Sequence, residues 1–238
     1  MSLADELRKV IKGEVDDSPR ARDAASRDAS LFRIEPEVVI RPMDVEDIKA
    51  LVKYVSAQKE EGKHISLTPR AAGTDMSGGP LNDSIIVDMA HFNKIIEVRD
   101  DYAVVEPGVY FRDFDKATMA KGLELPSYTA SREINTVGGM VGNDSGGEKN
   151  LKYGKTARYV EELEVVMADG EVHTLKNIDG AALAEKFALQ DQEGYVYRKI
   201  AEMLRDNADV IQKAKPIVSK NSSGYALWDL GDGVTSLN

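Results

Sequence analysis

The chain has 238 residues, 42% of them apolar and 30% charged, with 19 glycines and 8 prolines. That composition suits one large domain or two closely packed small ones, and it excludes a disordered tail, a collagen-like fibre and a low-complexity tract. Acidic residues outnumber basic ones 41 to 31, a formal charge of −10 that opposes general attraction to nucleic acid phosphate or an anionic membrane. Cysteine is absent, which excludes disulfides, thiolate metal sites, iron–sulfur clusters held by this chain and covalent links through sulfur, and points to a reducing, cytoplasmic compartment. No apolar run approaches the ~20 residues of a membrane span, and the N-terminus lacks the basic-then-apolar order of a signal peptide. His64, His91 and His173 are too far apart for a local metal signature, and each is expected in or beside a strand as an ordinary polar residue.

Leu3, Leu7, Val10 and Ile11 recur at helical spacing and predict a first amphipathic helix, ended by Gly13 and the stretch Asp16-Asp17-Ser18-Pro19. Residues 20–30 are polar and Ala-rich, and Val38-Val39-Ile40 before Arg41-Pro42 reads as the first strand. Asp44 is a good N-cap, Glu46 and Asp47 suit the positive end of a helix dipole, and Val45, Ile48, Val52 and Val55 form one apolar stripe up to Gly62. His64 to Thr68 reads as a strand, residues 70–80 as a Gly-rich loop, and Ser84 to Asp88 as a third strand. This β-α-β-loop-β order favours a small parallel sheet, with the loop at the carboxyl end of a strand, where open sheets bind ligands.

From about residue 95 the pattern changes. Ile95 to Val98 and Tyr102 to Val105 predict short strands, Pro107-Gly108 a turn, and Phe111 to Gly122 a helix. Glu162 to Met167 and Glu171 to Leu175 predict a hairpin turning at Asp169-Gly170, and two helices follow around Tyr195–Asn207 and Ala208–Lys215. No fixed-period repeat is present.

Two segments carry most of the chemical interest. The first, Pro69-Arg70-Ala71-Ala72-Gly73-Thr74-Asp75-Met76-Ser77-Gly78-Gly79, can offer consecutive backbone N–H groups to an anion. It is neither a Walker A loop, since Gly79-Pro80 replaces Lys and Ser/Thr, nor a Gly-x-Gly-x-x-Gly motif. The second, Ser127 to Gly147, packs five glycines into ten residues among small hydroxyl and amide side chains, more ordering entropy than a simple connection requires. Each has a plainer reading when taken alone: a turn for the first, tight strand–helix packing for the second.

Together these segments resemble the FAD-binding domain of the vanillyl-alcohol oxidase or PCMH type, nearest the glycolate oxidase and D-lactate dehydrogenase flavoproteins. The first segment resembles that family's Pro-x-Gly-Gly-Gly-Thr diphosphate loop. Thr136-Val137-Gly138-Gly139 with Asn143, Gly146-Gly147 and Tyr153-Gly154 resembles its Thr-Ile-Gly-Gly…Gly-Gly…Tyr-Gly signature. Glu164 to Gly170 resembles the Leu-Glu-Val-Val-x-Ala-Asp-Gly strand and turn, and Lys220 to Tyr225 a Lys-Asn-x-x-Gly-Tyr element. Four elements in the right order, over about Asp28 to Leu227, are far more specific than either loop.

The resemblance implies an α+β, PCMH-type fold of two α/β subdomains: an N-terminal helical segment over 1–30, a small parallel βαβ subdomain over 31–95, and a mainly antiparallel sheet flanked by helices over 96–238. It implies that Pro69, Arg70, Ala71, Ala72, Gly73, Thr74, Asp75, Met76 and Ser77 wrap the FAD diphosphate through backbone N–H groups. It places Ala130, Ser131, Asn135, Thr136, Gly138, Gly139, Gly142, Asn143, Ser145 and Gly146 along the ribityl, diphosphate and isoalloxazine side. Arg70, Arg132 and Tyr153 have an equally plain reading as surface cations or a packing aromatic.

There are departures from the family pattern. Ala71 and Ala72 stand where glycines are common, and Asp75 brings a carboxylate that must point away from the diphosphate. Thr74 stands near where histidyl-linked members carry their histidine, so FAD is expected to be non-covalent. Members of the family continue into a substrate-binding cap, so a further C-terminal domain or partner subunit is expected, and no catalytic residue is assigned. The implied activity is oxidation of a small 2-hydroxy acid such as D-lactate or glycolate by hydride transfer to FAD. The alternatives are a stand-alone flavin-binding or electron-transfer subunit, or a domain that has lost the cofactor.

Overall fold

The computed structural model describes residues 2–218, 221 and 225–237. The chain forms two compact units, Met1–Val160 and Glu161–Asn238. In the first, α1 (Leu3–Leu7), β1 (Glu14–Asp16), α2 (Pro19–Ala25), β2 (Val38–Arg41), α3 (Val45–Glu60), β3 (Leu67–Arg70) and β4 (Ile85–Asp88) surround one four-stranded sheet of order β1-β2-β4-β3. β2 and β3 both run parallel to β4, and β1 closes the β2 edge antiparallel. The β-branched runs of β2 and β4 follow from burial on both faces. Val38, Ile40, Ile85 and Val87 face a core with Leu7 of α1 and Leu51 and Val55 of α3, whereas Val39 and Ile86 face Ala21 and Ala25 of α2.

The predicted helix α3 begins where its cap places it, with the Asp44 carboxylate accepting from the Asp47 N–H. Asp47 does more than favour the helix dipole. Its carboxylate is buried and accepts from the N–H groups of Lys12, Gly13 and Met43, all at 2.8 Å, which ties the chain before β1 to the start of α3. Three sequence expectations shift. The first helix stops at Leu7, residues 19–25 form a helix capped by Ser18 with Pro19 in its first turn, and the strand expected from His64 begins at Leu67. Pro69 is tolerated because β3 is an edge strand.

The rest of the first unit holds the antiparallel pair β5 (Ile95–Val98) and β6 (Ala103–Val105), then α4 (Phe111–Met119), α5 (Val137–Gly142) and α6 (Asn150–Tyr153). Val109, Phe111, Phe114, Tyr128 and Met140 form its core. The second unit comprises the expected hairpin of β7 (Glu162–Val166) and β8 (Val172–Lys176), followed by β9 (Ile178–Asp179), α7 (Gly180–Ala188), α8 (Gln192–Asp206), α9 (Ala208–Ala214) and β10 (Ser236–Leu237), which pairs with β9. Gly170 supplies the positive φ of +70° that the hairpin turn needs. Its core is Ile178, Leu183, Tyr197, Leu204, Ile211 and Leu237. Antiparallel pairing therefore prevails after residue 95, but among the described residues it forms three separate two-stranded ladders where one sheet was expected.

Candidate cofactor site

The first loop leaves the carboxyl end of β3, and its root is fixed by Arg70. The guanidinium donates to the carbonyl oxygens of Ala25 at 3.2 Å and Arg27 at 2.6 Å, at the end of α2. Burial lowers the Arg70 pKa, with Asp28 and Asp88 opposing the shift. Arg70 is thus committed to holding the loop in place. Gly73 has φ +68°, and a β-carbon there would collide with the Arg70 guanidinium, so the turn requires glycine at this position.

Asp75 organises the second half of the loop. Its Oδ2 accepts from the Ser77 N–H at 3.2 Å, the Ser77 hydroxyl at 2.8 Å and the Gly79 N–H at 2.8 Å, and the Met76 N–H adds to the set. Burial would raise the Asp75 pKa, but these donors outweigh it and hold the carboxyl below its ordinary value. The donors of residues 76, 77 and 79 are therefore used inside the loop, and Pro69 has none to give. The N–H groups of Ala71, Ala72, Gly73 and Thr74 have no partner among the described residues, and all four residues are half-buried.

The second segment is held from below by the Phe111 core. Tyr128 packs against Phe111 with ring centroids 6.4 Å apart and donates its hydroxyl to Glu148 at 2.7 Å, while the Arg132 guanidinium sits 4.9 Å over the Tyr128 ring. Arg132 is thus engaged as a cation on an aromatic face. Asn135 donates to Thr129 Oγ1 at 2.8 Å, and the Thr129 hydroxyl is 2.9 Å from that of Ser131. The Asn135 Oδ1 is buried without a hydrogen-bond partner among the described residues, an acceptor that calls for a donor. Thr136 caps α5, accepting from the Gly139 N–H at 3.1 Å.

The glycines of this segment divide into two groups. A β-carbon on Gly138 would sit 2.7 Å from the Pro107 Cα and carbonyl oxygen, and on Gly147 it would strike the Tyr128 carbonyl, so these two are dictated by packing against backbone, while on Gly146 it would meet only the side chains of Asn150 and Lys155. Ser145 likewise accepts the Thr156 N–H and hydroxyl on its carbonyl. Gly139 differs, because a β-carbon there meets the Ala71 β-carbon at 3.5 Å, ordinary contact across the two loops. Gly142 faces open space, Asn143 is the exposed C-cap of α5, and Ala130 is exposed. Of the sequence-predicted residues, the structure thus joins Ala71 to Gly139 at the meeting of the two segments. Tyr153 has the Lys152 ammonium 4.9 Å over its ring and accepts the Tyr159 hydroxyl on its carbonyl, a packing environment. Pro107 and Phe32, whose ring would be 3.0 Å from a β-carbon on Gly78, shape the surroundings without any motif to announce them.

Four open N–H groups on one small-residue loop, which packs near Gly139 of the second segment, suit a diphosphate approached through the main chain. The donor set fits FAD on that ground. A surface cleft of about 190 Å3 lined by Glu6, Tyr54, Lys63 and His64 includes neither loop. No helix among the described residues is long and apolar enough to cross a membrane. Of the Lys220–Tyr225 element, only Asn221 and Tyr225 are among the described residues.

The chain is 30% identical over 226 residues to the D-2-hydroxyglutarate dehydrogenase of Pseudomonas putida, covering 93% of this chain and 22% of that protein. It is 35% identical over 162 residues to the glycolate oxidase subunit GlcD of Bacillus subtilis, covering 66% of this chain and 33% of that one. A solved structure of alkyldihydroxyacetonephosphate synthase shares the fold, with a TM-score of 0.57 at 21% identity over 68% of this chain and 32% of that chain. The chain thus spans about a fifth to a third of the length of these relatives. The sequence profile of the FAD binding domain matches residues 36–176, more than half of the chain and both glycine-rich segments, and the chain belongs to that family.

Proposed function

We propose that this chain is the FAD-holding part of an oxidoreductase that converts a 2-hydroxy acid to the 2-oxo acid, with FAD bound non-covalently. The observation that carries the reading is the row of four unused N–H groups on Ala71 to Thr74, on a loop that meets the second glycine-rich segment where Ala71 approaches Gly139. In this reading the N–H groups of Ala71 to Thr74 hold the diphosphate, and Gly139, Ser131, Asn135 and Thr136 border the remainder of the cofactor. FAD supplies the two-electron acceptor for the hydride that leaves the carbon bearing the substrate hydroxyl. The work of the chain's own residues is positional. Arg70 fixes the loop root, Thr136 fixes the start of α5, and the Phe111–Tyr128 packing fixes the floor.

Non-covalent binding is supported by Thr74 in the loop and by the lack of cysteine. The 2-hydroxy acid class is supported by the relatives named as D-2-hydroxyglutarate dehydrogenase and glycolate oxidase subunit. The subdomain division at residue 95 and the need for a further domain or partner subunit belong to the same proposal. The test is to reconstitute the chain with FAD and mix it anaerobically with D-2-hydroxyglutarate, D-lactate or glycolate. Bleaching of the flavin band by one of them supports the oxidoreductase reading with a substrate site in this chain. A band stable to all three favours a flavin-binding module whose substrate groups come from elsewhere.

A further inference from the structure

The carboxylate of Asp75 is an anion already seated on the first loop's own donors, and what it does there bears on how that loop meets a ligand. Three contacts of 2.8–3.2 Å converge on Oδ2, from the Ser77 N–H, the Ser77 hydroxyl and the Gly79 N–H. The Asp75 carbonyl in turn accepts the Ala29 N–H at 3.1 Å, which fastens the midpoint of the loop to the segment after α2. Gly78 has φ +88°, lies under the Phe32 ring and accepts the Leu81 N–H at 3.1 Å on its carbonyl, so the far end is pinned as well. Arg70 pins the near end. Between Arg70 and Asp75 stand the four residues whose N–H groups are unused.

We propose that Asp75 is a positioning residue for the cofactor loop: by taking the donors of residues 76, 77 and 79, its carboxylate orders the distal half and so presents the N–H groups of Ala71 to Thr74 as a preformed diphosphate cradle. The inference rests on the FAD reading above. A glycine-rich loop left unordered would lose its chain entropy at the moment of binding, and an internal carboxylate moves that loss to the folding step. The role belongs to the acceptor oxygen and not to the charge, so asparagine should replace aspartate and alanine should not.

The test uses the full chain in three forms, wild type, Asp75→Asn and Asp75→Ala, each followed by FAD titration, thermal midpoint and amide exchange without ligand. The expected result is that Asp75→Ala binds FAD about tenfold more weakly, the change that about 1.4 kcal/mol produces, while Asp75→Asn stays within about threefold of wild type. The midpoint of Asp75→Ala should stay within about 2 °C, because the loop is at the surface. The Ser77 and Gly79 amides should lose protection in that variant alone. Unchanged FAD affinity in Asp75→Ala overturns the proposal, as do amides equally unprotected in wild type. Tighter binding by both variants also overturns it, since that would mark Asp75 as a charge opposing the diphosphate. Wild type that binds no FAD overturns the FAD reading together with this one, whereas tight wild-type binding with an indifferent Asp75→Ala overturns this one alone.

Discussion

Gly138 and Gly139 are adjacent, yet the structure assigns them opposite sensitivities. An alanine β-carbon at 138 would sit 2.7 Å from the Pro107 Cα and carbonyl oxygen, backbone atoms that cannot swing aside. Relieving that overlap and keeping the Gly138 N–H to Pro107 bond of 2.8 Å would cost about 1–3 kcal/mol. In a chain of this size that lowers the thermal midpoint by roughly 2–10 °C. At 139 the β-carbon meets Thr136 Oγ1 at 3.3 Å and Ala71 Cβ at 3.5 Å, which is tight but accommodated. Alanine also recovers about 0.5–1 kcal/mol of the glycine penalty in a helix, so Gly139→Ala should unfold within about 1 kcal/mol of wild type. The same β-carbon adds bulk to main chain that the cofactor would approach in the proposed reading, and FAD retention should fall by at least about tenfold. Thermal melts and FAD titrations of both variants separate the effects. Equal stability of the two variants would refute the packing argument, and a Gly139→Ala chain that retains FAD like wild type would refute the placement of the cofactor against the main chain at Gly139. Gly139→Asp, which adds a charge as well as bulk, should abolish retention without unfolding the chain.

Other predictions follow from buried polar groups. Asp47→Ala leaves the Lys12, Gly13 and Met43 N–H groups without their acceptor and should destabilise the first unit by about 3 kcal/mol, read as a lower urea midpoint; a loss under about 1 kcal/mol would mean that water replaces the carboxylate. In the second unit His173 of β8 is about a tenth exposed, with Asp169 Oδ2 at 2.9 Å and Glu193 Oε2 at 3.6 Å, and Lys186 paired to Glu193. Burial would lower the His173 pKa, but the hydrogen bond and charge of Asp169, joined by Glu193, outweigh it and raise the value above 6.5. The stabilisation is therefore complete below 6.5 and is lost as pH rises through the raised value. Between about pH 6 and about pH 9 the melting midpoint should fall in wild type more than in His173→Gln; equal slopes would contradict the stabilisation of protonated His173 by Asp169 and Glu193.

Much of the first unit is legible because its signals are local. Asp44 announces the start of α3, although the face that packs on the core is Ala50, Leu51, Tyr54 and Val55 and shares only Val55 with the expected stripe of Val45, Ile48, Val52 and Val55; β2 and β4 announce themselves because burial on both faces demands β-branched residues in succession. β1 is not legible. Glu14-Val15-Asp16 has the composition of a loop and becomes a strand through its pairing with β2 and the Arg41 guanidinium, which is 2.9 Å from Glu14 and 3.8 Å from Asp16. Ser18-Pro19 did carry a helix-start signal for α2, but alanines at the buried positions give a weak stripe. Within the candidate site, both glycine-rich segments stand out by composition. What composition does not reveal is which glycine serves packing and which faces the other loop, because that depends on Pro107 for Gly138 and on Ala71 for Gly139. The inward turn of Asp75 is equally invisible before the positions of Ser77 and Gly79 are known.

FAD titration of the purified chain, followed by quenching of flavin fluorescence and by gel filtration, decides whether this chain holds the cofactor. Saturable binding at stoichiometric FAD, with the flavin co-eluting with protein, is the expected result. Fluorescence that stays that of free FAD throughout, with all the flavin eluting as a small molecule, would contradict it.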